Sequence, residues 1–158
     1  MNFLSIILLG LALSLMPAAS RSESVSVSLD IDGDGQATAL TDGLLIIRYL
    51  FGFSGTALVA GALGSDATVT SAAAIVAHLD THKAAFDIDG DGSTLPLTDG
   101  LLIIRYLFGF QGSALVAGAL GDSAVRTDAT ALIDLLDALQ PETSGGTASG
   151  SGENPKVS

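Results

Sequence analysis

Hydrophobic residues in this chain fall in blocks, and each block occurs twice. Gly43 to Phe51 reads G-L-L-I-I-R-Y-L-F, and Gly100 to Phe108 repeats it residue for residue. Leu44, Leu45, Ile46, Ile47, Tyr49, Leu50 and Phe51 leave Arg48 as the only strongly polar residue, so the run predicts a helix that is apolar on nearly every side and must be covered over most of its surface. Burial there contributes about 1.5 to 3 kcal/mol per large side chain before conformational entropy is set against it. Arg48 and Arg105 are expected to snorkel or to pair with a local carboxylate. A glycine-bounded connection and a short A-L-V-A-G-A-L segment follow in each copy. The last helix is expected over Ser71 to Ala85 and over Thr127 to Leu139, with Thr70 and Ser71, and Thr127 and Asp128, as N-cap-type residues.

The two copies stand at one offset: Asp87 minus Asp30, Arg105 minus Arg48 and Gly121 minus Gly64 each give 57. A constant offset marks a duplicated structural unit. Ahead of the first unit, Ser22 to Leu29 alternates Ser with Val and predicts a short extended segment, which lies along its own domain or docks on another molecule. The expected fold is mostly α-helical and duplicated, each unit built from an acidic loop and the helices after it. Unit 1 spans residues 30–85 and unit 2 spans 86–141.

Outside the units the pattern changes. Phe3 to Met16 is an apolar run of signal-peptide length, and Ala18-Ala19-Ser20 offers small residues for cleavage after Ser20. Residues 1–20 are therefore read as a targeting segment, with a retained anchor as the alternative, and 21–29 as the extended segment of an exported chain. From 142 to 158 Gly, Ser, Thr and Glu without periodicity predict a disordered tail. The absence of cysteine excludes disulfide staples in the exported product. A net charge of −11 with few aromatics and no basic cluster argues against a nucleic-acid partner, and membrane contact is expected only through the targeting segment.

Candidate chemistry sits in the acidic loops. Asp30 to Asp42 reads D-I-D-G-D-G-Q-A-T-A-L-T-D, and Asp87 to Asp99 reads D-I-D-G-D-G-S-T-L-P-L-T-D. Carboxylates at positions one, three and five, a glycine at six and a closing acid suit a hard cation with oxygen ligands, because a short loop must turn sharply and aim several oxygens at one point. Without a cation, carboxylates a few ångströms apart repel by about 1 kcal/mol per pair in water and several times that in a partly dry site. Each loop is read as holding one Ca²⁺, two in all. The ligands are the side chains of Asp30, Asp32, Asp34 and Asp42, and of Asp87, Asp89, Asp91 and Asp99, with the main-chain carbonyls of Gln36 and Ser93. A standard EF-hand loop closes at position twelve, whereas Thr41 and Thr98 stand there and the acids come thirteenth. Either the loop is one residue longer or its closing ligand acts through water.

These loops resemble the dockerin type I family on Asp30, Asp32, Asp34, Gly35 and Asp42, and on Asp87, Asp89, Asp91, Gly92 and Asp99. The resemblance implies secreted bacterial modules in which paired Ca²⁺ loops and helices bind a cohesin domain and attach a polysaccharide-degrading enzyme to a surface assembly. It covers the loops and their exit helices, and the 57-residue repeat is longer than that family's.

Catalysis finds no support in the motifs, since there is no cysteine, no metalloprotease helix motif and no G-x-S-x-G. His78 and His82 share a helix face and offer either a transition-metal pair or packing, and their unit 2 counterparts are Leu135 and Leu139. Two functional classes remain: an exported, non-catalytic binding module whose protein partner is cohesin-like, and a Ca²⁺-stabilised structural subunit that associates with copies of itself into a filament or matrix.

Overall fold

The computed structural model describes residues 27–142. The targeting segment 1–20, residues 21–26 of the extended segment and residues 143–158 of the tail lie outside the described residues. Helices α1 (Leu44–Leu50), α2 (Gly55–Val59) and α3 (Ala72–His82) belong to unit 1; α4 (Asp99–Leu107), α5 (Ser113–Val116) and α6 (Ala129–Asp137) belong to unit 2. The described residues are mostly helical and contain no strand.

Local chemistry sets the helix limits. Both apolar helices end in a Schellman motif: Phe53 N–H donates to the Arg48 carbonyl and Gly52 N–H to that of Tyr49, with Phe110 and Gly109 doing the same onto Arg105 and Tyr106. This stop requires the left-handed backbone that Gly52 and Gly109 adopt at φ 84° and 80°. The helix expected over Ser71 to Ala85 keeps its α form only to His82, then tightens into a 3₁₀ turn over Lys83–Phe86, a common way to satisfy the last carbonyls of a helix. Asp128, and not Thr127, caps α6, accepting the Ala131 N–H at 3.0 Å.

One core runs through both units. Leu45, Ile46, Leu58, Ala62, Ile75 and Leu79 are buried in unit 1, and Leu102, Ile103, Leu115, Ala119, Leu132 and Leu136 are buried at the same places in unit 2. Helices α1 and α4 meet antiparallel and reciprocally. A Cβ on Gly43 would lie 3.2 Å from both Ile104 Cγ1 and Leu107 Cδ1, and one on Gly100 would lie 3.2 Å from Leu50 Cδ1 and 3.3 Å from Ile47 Cγ1. Each unit thus offers the other the same surface, an isologous contact that closes on itself. Leu29 donates its N–H to the Leu139 carbonyl at 2.7 Å, so the start of unit 1 rests on the end of unit 2.

The apolar helices are covered over most of their surface, with every residue of Leu44–Leu50 and Asp99–Leu107 buried or half-buried; their C-caps Phe51 and Phe108 stay 53% and 54% exposed, beside exposed Phe53 and Phe110. Of the two roles expected for Arg48, pairing with a carboxylate is not found among the described residues; its Nη1 donates to the carbonyls of Leu58 and Ala60, each at 2.9 Å, and Arg105 repeats this on Leu115 and Ala117. Those carbonyls end the short helices α2 and α5, where no intrahelical partner exists and a cation is favoured.

Candidate metal centres

The loop turns because its first aspartate gathers the backbone. Asp30 Oδ1 accepts from Gly33 and Asp34 N–H at 2.8 and 3.1 Å, and Oδ2 accepts from Gly35 N–H at 2.9 Å. Gly35 and Gly92, at φ 88° and 89°, allow the reversal that this gathering demands. In loop 2, Asp87 takes Gly90 and Gly92 N–H at 2.8 and 3.0 Å.

The late closing acid is accommodated by the backbone. Gly43 N–H reaches the Thr38 carbonyl, five residues back, at 3.0 Å, and Gly100 N–H reaches Leu95 at 3.0 Å. In loop 1 this forms a π turn over Ala39–Gly43. Such a turn accommodates one inserted residue, and Asp42 still faces the first two acids. Asp30, Asp32 and Asp42 present oxygens within 4.8 Å of one another, and Asp87, Asp89 and Asp99 do the same. These two groups of three carboxylates can each hold a metal ion.

Asp34 and Asp91 do not join the groups. Each turns Oδ1 to the N–H two residues on, at Gln36 (2.8 Å) and Ser93 (2.7 Å), which are exposed at the outer turn. His78 and His82 pack ring against ring with centroids 4.7 Å apart, and among the described residues no histidine joins either group. His78 Nε2 is buried without a hydrogen-bond partner, and burial together with the neighbouring His82 charge holds its pKa below the usual value. A neutral packing role suits that position.

The electrostatics of the groups are those of an acid cluster taken out of water. Asp32, Asp42, Asp89 and Asp99 are wholly buried. Burial pushes the Asp32 carboxyl up; the Gly64 N–H, donating at 2.6 Å, opposes this, and the Asp42 and Asp34 charges add to it. Burial also pushes Asp99 up against several N–H donors. Asp42 and its counterpart Asp99 are the most heavily committed, with four donors each: on Asp42, Ile31 and Asp32 N–H bind Oδ1 at 2.7 and 3.2 Å, while Thr38 N–H and Thr41 Oγ1 bind Oδ2 at 2.9 and 2.7 Å. A carboxylate offers about four acceptor positions, so Asp42 has its complement, whereas Asp32, with donors only from Asp34 and Gly64, keeps two open.

Sequence reasoning missed what holds the acids in place. Gly64 and Gly121 donate N–H to Asp32 and Asp89, at 2.6 and 2.7 Å, from the connections that follow the A-L-V-A-G-A-L segments. A side chain there would push the acids aside, since a Cβ on Gly64 would overlap Asp34 Oδ2 and lie 3.3 Å from Asp32 Oδ2. The signal was the recurrence of this glycine at the 57-residue offset. Arg126, which has no basic counterpart in unit 1, was also missed; its guanidinium donates to the carbonyls of Asp87 and Ile88.

No helix among the described residues is long and apolar enough to cross a membrane. A scan against protein-family models, a search of curated proteins and a search of solved structures each return no match for this chain.

Proposed function

We propose that this is an exported, non-catalytic module with two EF-hand-like, dockerin-like loops that hold one Ca²⁺ each and so keep a protein-docking surface in shape. The observation that carries this reading is the recurrence, at both loops, of three carboxylates converging within 4.8 Å, two of each three wholly buried. The donor set is oxygen only, which suits a hard cation and excludes the thiolate and imidazole preferences of softer metals. Asp30 and Asp32, with Asp87 and Asp89, are the side chains with open acceptor positions. Asp42 and Asp99 close the loop and add negative charge. When bound, the ion supplies the positive charge that the cluster lacks.

Calcium in this role is part of the fold. At free ion one hundred times the dissociation constant, each site stabilises the native state by about 2.7 kcal/mol, a large share of the margin of a small domain without disulfides. Docking is supported by the surface. Leu40, Phe51 and Phe53 are exposed in unit 1, and Leu97, Phe108 and Phe110 are exposed at the same places in unit 2, so each unit leaves the same three large apolar side chains open to a partner at the ends of its apolar helix. The isologous α1–α4 contact weighs against head-to-tail filaments, because the surface joining the units has no second copy at the ends of the molecule.

The test is a titration of the chain with a cohesin-type domain, in millimolar Ca²⁺ and in chelator, with light scattering of the chain alone. The docking reading expects a monomer and Ca²⁺-dependent binding. Concentration-dependent growth into long assemblies, with no heat of binding, would replace it with the self-associating subunit.

A further inference from the structure

The two loops share nine of thirteen residues, every acid and glycine among them, and the residues packed on their Asp-Gly turn differ in charge. In unit 1 that turn is covered by neutral side chains: Thr68 Oγ1 donates to the Gly33 carbonyl at 2.9 Å, and Val69 Cγ2 lies 3.4 Å from where a Gly33 Cβ would stand. In unit 2 Arg126 replaces Val69, and its Cζ lies 2.9 Å from where a Gly90 Cβ would stand. Gly90 in turn donates its N–H to Asp87 Oδ1 at 2.8 Å. One peptide unit therefore separates a guanidinium from a ligating carboxylate. Arg126 Nε donates to the Ile88 carbonyl at 2.6 Å and Nη2 donates to that of Asp87. Both partners are neutral carbonyls, so these bonds fix the charge in place without cancelling it.

We infer that Arg126 makes the two centres unequal: it holds loop 2 in shape without an ion and lowers that loop's affinity for a divalent cation, so that loop 1 fills first. This rests on the reading of the loops as Ca²⁺ sites. The guanidinium repels the doubly charged ion at short range while partly compensating Asp87, Asp89 and Asp99 when no ion is there. Pinning two carbonyls also preorganises the loop, which favours binding. The Coulomb effect wins, because a fixed unit charge several ångströms from a divalent ion in a partly solvated site changes affinity by about tenfold, whereas Asp87 and Asp99 already organise the same backbone through several N–H donors.

The experiment silences one loop at a time in the full chain and titrates CaCl₂ by calorimetry. With loop 2 disabled by Asp89→Asn, the remaining loop 1 should bind about tenfold more tightly than loop 2 does when loop 1 is disabled by Asp32→Asn. Adding Arg126→Gln, which keeps a hydrogen-bond donor and removes the charge, should raise loop 2 affinity to nearly that of loop 1, and the gain should shrink as salt is raised. The reciprocal Val69→Arg, made in the Asp89→Asn chain, should weaken loop 1 and reports independently of how well Arg126→Gln folds. Equal affinities in the two single-loop chains, or an Arg126→Gln change that weakens loop 2, would overturn the inference and leave the Ca²⁺ reading standing. Absence of Ca²⁺ binding to either loop would overturn both.

Discussion

Replacing Asp42 by Asn should destabilise the protein even when no metal is present, because this carboxylate serves as the closing node of loop 1 as well as part of its cation group. It gathers four donors, three of them main-chain N–H groups at 2.7, 3.2 and 2.9 Å and one the Thr41 hydroxyl at 2.7 Å. An Asn side chain retains one acceptor oxygen, enough for one pair of donors, and turns an NH₂ group toward the others. The Thr41 hydroxyl has an alternative partner in Thr38 Oγ1 at 2.6 Å, which leaves one main-chain N–H facing a donor. That N–H, of Thr38, is part-buried, so its loss lies at the low end of the roughly 1 to 3 kcal/mol that an unpartnered N–H costs, and the two surviving bonds lose the strength that a charged acceptor gives them. The sum is about 3 kcal/mol. Removing the charge also relieves repulsion from Asp30 and Asp32, so the comparison belongs in concentrated sodium sulfate with chelator, where the screening length falls to about 3 Å and the baseline stability rises. Urea unfolding followed by circular dichroism should place the midpoint of the Asp42→Asn variant about 1 to 2 M below that of the parent, at an unchanged slope. Thr41→Val, which removes only the hydroxyl donor, should lower stability by about 1 kcal/mol or less. Coincident unfolding curves for the parent and Asp42→Asn would refute the reasoning that this side chain holds the loop closed.

Gly64→Ala separates fold from site. Its Cβ displaces the mobile end of Asp34 and crowds Asp32 Oδ2, so metal-free stability should change by less than about 1 kcal/mol while loop 1 loses about tenfold in Ca²⁺ affinity, a difference of about 1.4 kcal/mol readable by calorimetry. Arg48→Met removes the two bonds to the Leu58 and Ala60 carbonyls and should cost about 2 kcal/mol in a urea melt, since bonds from charged donors are the stronger class. The pH dependence should reverse with metal. Asp32 and Asp99 have folded-state pKa values raised above 3.8, so their contribution to metal-free stability is fully present below that value and is lost as pH rises through the folded values. In chelator their share therefore makes the melting temperature rise as pH is lowered from about 7 toward about 4, whereas in saturating Ca²⁺, where protons compete with the ion for the same oxygens, it should fall.

Much of this arrangement was legible because the sequence states it twice. The 57-residue offset located both acidic loops and both G-L-L-I-I-R-Y-L-F helices, and an apolar run flanked by glycine leaves little choice but helix. The convergence of Asp30, Asp32 and Asp42 followed from alternating acids around Gly35. What stayed hidden depended on partners distant in sequence. Nothing local marks Gly64 as the donor to Asp32 across thirty-two residues, or Gly43 and Gly100 as the points where the opposite helix comes close. The π turn that absorbs the extra residue trades one backbone bond for another, and neither propensity nor periodicity registers such an exchange. For Arg48 the sequence left snorkelling or a carboxylate partner open, and the groups its Nη1 meets are carbonyls at the end of a helix only five residues long.

The central claim is that two Ca²⁺ ions sit in these loops, and isothermal calorimetry of the chain with CaCl₂ at neutral pH tests it most directly. The account predicts a stoichiometry of two in the parent chain, one in Asp32→Asn and in Asp89→Asn, and none in the double variant, with dissociation constants of about 10⁻⁴ to 10⁻³ M. A parent chain that takes up no Ca²⁺, or a double variant that still takes up two, would contradict it.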